Sequence, residues 1–289
     1  VSICCPTYNH VKYIKKTLDG FLMQKTDFNF EICIGEDKSN DGTREICLDY
    51  AKKYPSKINL ILRDRKNVIY INDLATGRYN MHKTILECKG KYIAFCEGDD
   101  YWTDELKLQK QVDFLEKNQD YVMIGNRVNI LENNVLRNSS QPSKSREILP
   151  NELFHYNPFS SSSIMFRNIE LNYPNFFYKY YPGDLMLYFL LSNYGRLFYM
   201  DNVVGIYRKH IKGISEVTSK KFKHFSKIKM YIHLNDFLNK KYDYDLIISN
   251  RKTIIKVLKK YHRNLSIHEL LFLVKTLLRN YYKQKFMKA

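Results

Sequence analysis

Four short apolar runs, each closed by a polar cluster and followed by a helix-length stretch, dominate the first hundred residues. Val1–Cys5, Phe30–Gly35, Ile58–Leu62 and Lys91–Cys96 read as strands. Between them, residues 10–25 place Val11, Ile14, Leu18, Phe21 and Leu22 on one helical face. Ile46, Tyr50 and Tyr54 recur at i, i+4 and i+8 behind a cap at Asn40 or Asp41, and residues 80–87 read as a third helix. Strands joined by helices of this length predict an α/β fold, a mostly parallel sheet covered on both faces. Ligands bind beyond the carboxyl ends of such strands. The polar clusters fall there: Pro6-Thr7-Tyr8-Asn9, then residues 36–42, then Glu97-Gly98-Asp99-Asp100.

Further along, residues 103–118 read as a helix with Thr103 as cap and Leu108, Val112 and Leu115 inward. Short strand-like runs and a polar connector, 138–143, fill the region up to Arg167. Residues 185–194 form an apolar helix stopped by Gly195, residues 197–206 return as strand, and everything beyond Ser215 reads as helix. Ser266-Ile267-His268-Glu269 is a capping box for the last one.

Charge divides the chain at the same point. Residues 216–289 hold 18 basic against 5 acidic side chains, whereas residues 1–215 hold 29 against 25, so +13 of the net +17 belongs to the tail. That asymmetry points to a polyanionic partner. The six cysteines lie mostly in apolar runs without a Cys-x-x-Cys pair, which argues against a disulfide framework or zinc site and for a reducing compartment. No run reaches the roughly 20 apolar residues of a membrane span. Val1–Cys5 reads as a buried strand rather than a signal peptide, in a chain expected to lack its first few residues.

Asp99 and Asp100, with Glu97 two places earlier, carry the sharpest chemistry. Carboxylates directly after a buried strand are costly without a cation. An oxygen-only set suits Mg²⁺ or Mn²⁺, which fills its shell with substrate phosphates and water. Asp37 follows the second strand, where an acidic residue can accept hydrogen bonds from ribose or base. No Gly-x-Gly-x-x-Gly or phosphate loop is present, which disfavours dinucleotide oxidoreductases and P-loop enzymes.

Taken together, Cys5-Pro6-Thr7-Tyr8-Asn9, residues 35–43, Gly90-Lys91-Tyr92-Ile93-Ala94-Phe95 and Glu97-Gly98-Asp99-Asp100-Tyr101-Trp102 resemble, in order and spacing, the family-two inverting glycosyltransferases of the GT-A fold. The similarity covers residues 1–102 and continues more weakly to about Ser215. It implies a Rossmann-like αβα catalytic domain over 1–215, followed by a basic helical region over 216–289. It also implies a bacterial surface-glycan enzyme moving a sugar from a nucleotide-diphosphate sugar, a UDP-sugar in expectation, to a glycan or lipid-linked acceptor. By resemblance, Pro6, Thr7, Tyr8, Asn9, Glu36, Asp37, Asn80, Glu97, Gly98 and Asp99 are the nucleotide-binding set. Asp99, with Asp100 and His210, is the expected site of Mn²⁺ or Mg²⁺, although a lone histidine is as readily structural. Arg208 or Lys212 would neutralise the diphosphate. Asp184, opening the apolar helix, matches the family's general base and equally suits helix capping. Trp102 is either an acceptor wall or core. His10, His82 and His155 receive no role.

Two other classes stand beside this one. A nucleotidyltransferase making sugar nucleotides would want a Gly-rich basic loop where Pro6–Asn9 stands. A non-catalytic nucleotide-sugar or membrane-binding protein would not need the acidic set at Asp99 and Asp184. The tail, with Leu270–Val274 followed by Lys275, Arg279, Lys283, Lys285 and Lys288, fits either a helix on an anionic membrane or one packed on the catalytic domain. Nucleic acid is not expected, since no recognisable module accompanies the charge. The expected location is cytoplasmic, with peripheral attachment to the inner membrane face as the second option.

Overall fold

The computed structural model describes residues 1–289 except Ser140, Lys240 and 287–289, so Ser140 of the polar connector and Lys288 of the tail lie outside the described residues. Its first half runs β1 (Ser2–Thr7), α1 (Ile14–Leu22), β2 (Glu31–Glu36), α2 (Thr43–Lys53), β3 (Ile58–Leu62), a small hairpin β4 (Ile69–Ile71) and β5 (Leu74–Thr76), α3 (Arg78–Glu87), β6 (Tyr92–Phe95), β7 (Tyr101–Trp102) and α4 (Lys107–Lys117). There follow β8 (Tyr121–Glu132), β9 (Val135–Asn138), β10 (Arg146–Ile148), β11 (Met165–Arg167), α5 (Gly183–Leu191) and β12 (Arg196–Lys209). The chain closes with α6 (Ile214–Val217), α7 (Lys220–Phe237), α8 (Asp243–Tyr261) and α9 (Ile267–Phe286).

Eight strands form one curled path in the order β10-β12-β8-β11-β6-β1-β2-β3. The pairs β3–β2, β2–β1 and β1–β6 are parallel, as the strand–helix alternation predicts. β11 then enters antiparallel between β6 and β8. Because successive side chains of a strand point to opposite faces, each central strand feeds two cores. Ile3, Cys5, Ile32, Ile34 and Ala94 lie in the layer with α1, α2 and α4. Cys4, Cys33, Ile93 and Phe95 lie in the layer containing α5. All six cysteines are free and buried, small hydrophobes in both layers.

Boundaries moved where local chemistry overrode periodicity. Helix α2 starts behind Gly42, at φ 102°, and not behind Asn40 or Asp41. Asp41 accepts from the Thr43 amide and the Val11 amide, so its carboxylate joins two loops while serving the helix start. Thr103 does not cap α4: its amide donates to the carbonyl of Val204, and the helix begins at Lys107. Leu108, Val112 and Leu115 do face inward. Ser266 and Glu269 exchange both bonds of a capping box at 2.8 and 3.2 Å.

The tail is not uniform. Met230, Tyr231 and Leu234 of α7 lie in the same core as Leu153, Phe154 and Phe189 of the sheet region, and the Tyr231 hydroxyl donates to the Leu153 carbonyl at 2.7 Å. A smaller core, Phe225, Ile228, Ile254, Val257 and Leu273, joins α7, α8 and α9. Among the described residues, no helix is long and apolar enough to cross a membrane.

Candidate active site

A cleft of about 530 Å³ opens at the carboxyl ends of β1, β2 and β6 and is closed on the far side by β12, the start of α3 and the start of α5. Pro6, Thr7, Tyr8, Asp37, Asn80, Glu97, Asp99, Asp100, Asp184, Arg208, His210 and Lys212 all line it, so the structure gathers residues up to two hundred positions apart.

At one end, Asp37 is paired with Arg65 at 2.8 Å, and the Arg65 guanidinium lies 3.6 Å over the Tyr8 ring. Burial raises the Asp37 carboxyl, and Arg65 works against that rise. This trio joins a planar cation, an aromatic face and an acceptor at one end of the cleft. Sequence reasoning had passed over Arg65; the cluster Arg63-Asp64-Arg65 directly after β3 was its signal.

Asn80 is 2 % exposed; its amide donates to Gly35 O at 2.7 Å and its carbonyl accepts from Arg63 at 2.8 Å. It pins α3 against β2. A Cβ on Gly35 would lie 2.5 Å from the Asn80 side-chain oxygen, so glycine is required for that close approach.

The acidic turn after β6 is held from below by Thr17 of α1, whose hydroxyl reaches the carbonyls of Gly98 and Asp100. Asp99 aims its carboxylate at two imidazoles, His210 at 3.0 Å and His10 at 3.7 Å. Burial opposes that charge, yet the two histidines outweigh it and hold the Asp99 carboxyl below its ordinary range. His10, left without a role on sequence, is thus part of this cluster, and its other ring nitrogen sits 3.1 Å from the Thr7 hydroxyl. The Ser161 hydroxyl shares its one proton between the two Glu97 carboxylate oxygens, at 2.9 and 3.0 Å, while burial and the Asp99 charge push the Glu97 carboxyl up to about 8.

Asp184 sits in the first turn of α5, behind Pro182. Its carboxylate accepts from its neighbour's amide, Leu185, at 2.8 Å and from the Asn157 amide at 2.9 Å. Burial raises the Asp184 carboxyl; those two donors and the nearby Arg78 resist the rise. Arg78 itself is buried, donating to the carbonyls of Phe177 at 2.6 Å and Tyr180 at 2.8 Å. A Cβ on Gly183 would stand 2.4 Å from the Arg78 Nε. Gly183→Ala is therefore expected to push Arg78 out of place and cost about 1–3 kcal/mol as a small-to-large change, visible as a lowered urea midpoint. From α7, Ser226 accepts the Tyr181 amide at 2.8 Å, and burial lowers the Lys227 ammonium to about 8 against the opposing charge of Asp184. The Tyr188 hydroxyl, in a residue of the cleft wall, has no hydrogen-bond partner among the described residues.

Seven of the expected site residues are held in packing or in bonds to the scaffold, or stand at the rim. Trp102 is 2 % exposed, donates its indole N–H to Ser162 O at 2.7 Å and packs on Phe21, so it is core beneath the turn rather than an acceptor wall. Glu36 is fully buried and bonded to Arg44 and the Ser39 amide. Asn9, at φ 54°, receives the Asn40 amide and laces two loops together. Gly98 serves space: a Cβ there would meet the Thr7 hydroxyl at 2.4 Å. Asp100, 1 % exposed, accepts the Arg208 amide at 2.8 Å, which fastens β12 to the turn. Burial, then the charges of Asp99 and Glu97, push its carboxyl well up, an excess of negative charge that a nearby cation would relieve. Arg208 spends its guanidinium on the Asp99 carbonyl and the Tyr101 ring, 4.2 Å away. Lys212 is exposed on the rim.

The curled mixed sheet, the acidic turn after β6 and the cleft at its strand ends define a GT-A fold of the kind that glycosyltransferases use. Residues 2–173 match the model of glycosyl transferase family 2, and the chain belongs to that family. An uncharacterized protein of Mycobacterium tuberculosis is 31 % identical over 217 residues, which is 74 % of this chain; the chain spans 60 % of that relative's length. The UDP-Glc:alpha-D-GlcNAc-diphosphoundecaprenol beta-1,3-glucosyltransferase WfgD of Escherichia coli is 31 % identical over 145 residues, 50 % of this chain and 52 % of its own. Among solved structures, S. aureus TarS 1-349 in complex with UDP-GlcNAc superposes with a TM-score of 0.60 at 16 % identity, covering 98 % of this chain and 91 % of that one. The mannosyltransferase PcManGT of Pyrobaculum calidifontis, in complex with GDP-Man and Mn2+, gives 0.55 at 13 % identity, covering 98 % and 81 %.

Proposed function

We propose that this chain transfers a sugar from a nucleotide-diphosphate sugar, a UDP-sugar on the reading above, to a hydroxyl of a glycan or lipid-linked acceptor, with inversion. One observation carries the reading: a single cleft holds a half-buried carboxylate at a helix start, Asp184, together with Asp99 facing two histidines and the Tyr8–Arg65–Asp37 trio. Asp184 takes the acceptor's hydroxyl proton. That oxygen bonds to the anomeric carbon as the carbon–oxygen bond to the diphosphate breaks, and the leaving electrons go to the diphosphate. Family membership supports this, as do the sugar-nucleotide names of the relatives.

Among the described residues, no group of three histidine, cysteine or acidic side chains forms a ready-made metal cage. That fits an Mg²⁺ or Mn²⁺ ion that draws most of its ligands from phosphate and water. Asp99 and His210 would hold it, with His10 behind, and the ion would supply Lewis-acid neutralisation of the diphosphate.

The test is a panel of nucleotide sugars with Mn²⁺. Slow release of nucleoside diphosphate from one donor, accelerated by acceptor, is the expected result; release of pyrophosphate or of nothing would overturn the assignment. Acidity gives a second check. Asp184 works ionised and its carboxyl is raised, so the acid limb of kcat/KM is expected above the range of free aspartate, about 3.9. Asn157 donates to that carboxylate and favours its charge, so Asn157→Ala should move the limb further up in pH. An unmoved limb would detach Asp184 from the rate.

A further inference from the structure

Helix α9 is apolar on two sides. Leu273 is fully buried, Phe272 packs on Phe225, and Thr276 is buried with them. The opposite side carries Ile267, Leu270, Leu271, Val274 and Leu278, exposed by 76, 45, 52, 42 and 50 %. At 100° per residue these five fall in a stripe about 100° wide. Burying such a stripe is the ordinary reason for a helix to have one, and here no described residue covers it.

The charge around the stripe says what covers it. Lys275 is exposed beside one margin of the stripe, and Arg279, one turn further on, is exposed and pairs with Asp236 at 3.5 Å. On α8, Lys252, Lys256, Lys259 and Lys260 are exposed as well. From residue 246 to the end the sequence has eleven cations and one acid, Glu269, and Lys221 neutralises that acid at 2.9 Å. A protein partner would favour aromatic and arginine anchors and would disfavour lysine. A nucleic acid would take its phosphates to the lysines and leave the aliphatic stripe uncovered. Aliphatic side chains flanked by lysines suit a lipid surface, acyl chains below and anionic headgroups beside.

We propose that α9 lies in the plane of an anionic bilayer, its Ile267–Leu278 stripe in the headgroup–acyl boundary and the lysines of α8 and α9 on the headgroups. Docking of this kind needs no spanning helix. It is also independent of the cleft's chemistry, so it can fail while the transfer reaction stands.

The experiment is sedimentation of the full chain with vesicles of phosphatidylcholine alone or mixed with phosphatidylglycerol. Binding at least about tenfold tighter to the mixed vesicles, weakening with added salt, is expected. The triple variant Leu271→Glu, Val274→Glu, Leu278→Glu, on exposed positions, should lose that binding by at least about tenfold while its far-ultraviolet circular dichroism stays unchanged. Lys256→Ser with Lys259→Ser and Lys260→Ser should weaken binding to mixed vesicles and leave the weak binding to neutral ones. Equal affinity for both vesicles, unchanged binding of the glutamate variant, or a self-association through α9 without vesicle binding would each overturn the proposal.

Discussion

Asp184→Asn is expected to lower kcat by about 10²- to 10⁴-fold, the usual contribution of a positioned general base, with donor affinity intact. The substitution separates two roles of one side chain. Asparagine keeps one oxygen for the Leu185 amide, and the Asn157 amide can turn to accept from the new NH2 group, while the helix start, with Pro182 at its N-cap, does not depend on the charge. Stability should therefore stay near that of the parent. What asparagine cannot do is take a proton at neutral pH. Single-turnover transfer with a saturating donor measures the loss, and titration of nucleoside diphosphate measures binding. Turnover within a few-fold of the parent would remove Asp184 from the mechanism; a collapse of donor binding would recast it as a structural anchor.

Trp102→Ala is expected to cost about 3–5 kcal/mol of stability, the range for deleting a buried large aromatic side chain. The indole fills the space against Phe21, donates to Ser162 and carries the buried Lys107 ammonium 3.9 Å over its ring. Burial pushes that ammonium down to about 7, so loss of the ring would also remove one of its few compensations. Trp102→Phe keeps most of the volume and leaves the Ser162 carbonyl without its donor, for about 1–3 kcal/mol. Urea unfolding monitored by circular dichroism tests both. An acceptor wall would behave in the opposite way, with a raised acceptor KM and an unchanged midpoint.

How much of this is legible in the sequence alone depends on the kind of interaction. Strand–helix alternation and the acidic turn announce themselves locally, so β1, β2, β3 and β6 and the rim at Asp37 and Asp99 were readable to within a residue or two. Roles set by distant partners were not. His10 faces Asp99 across 89 positions, and Arg78 reaches Phe177 across 99. Nothing near Glu36 marks it as the partner of Arg44, and nothing near Trp102 marks it as core, because a polar or aromatic residue next to a motif looks the same whether it faces the ligand or the scaffold. Antiparallel β11 was hidden too, since a three-residue strand leaves almost no periodicity.

The seam in charge at residue 215 does not coincide with a seam in packing. Ser226 fastens the backbone just ahead of Asp184, and Met230, Tyr231 and Leu234 complete the layer beneath it. A chain cut at that charge step would keep the Tyr8–Arg65–Asp37 end of the cleft and lose the wall behind Asp184. Such a fragment should hold a nucleotide yet transfer poorly. Any catalytic unit engineered from this protein would need to retain α7 and α8, since Tyr242 and Leu246 lie in that same core and the Ser249 hydroxyl donates to the Phe154 carbonyl, and α9 would be the piece free to be exchanged.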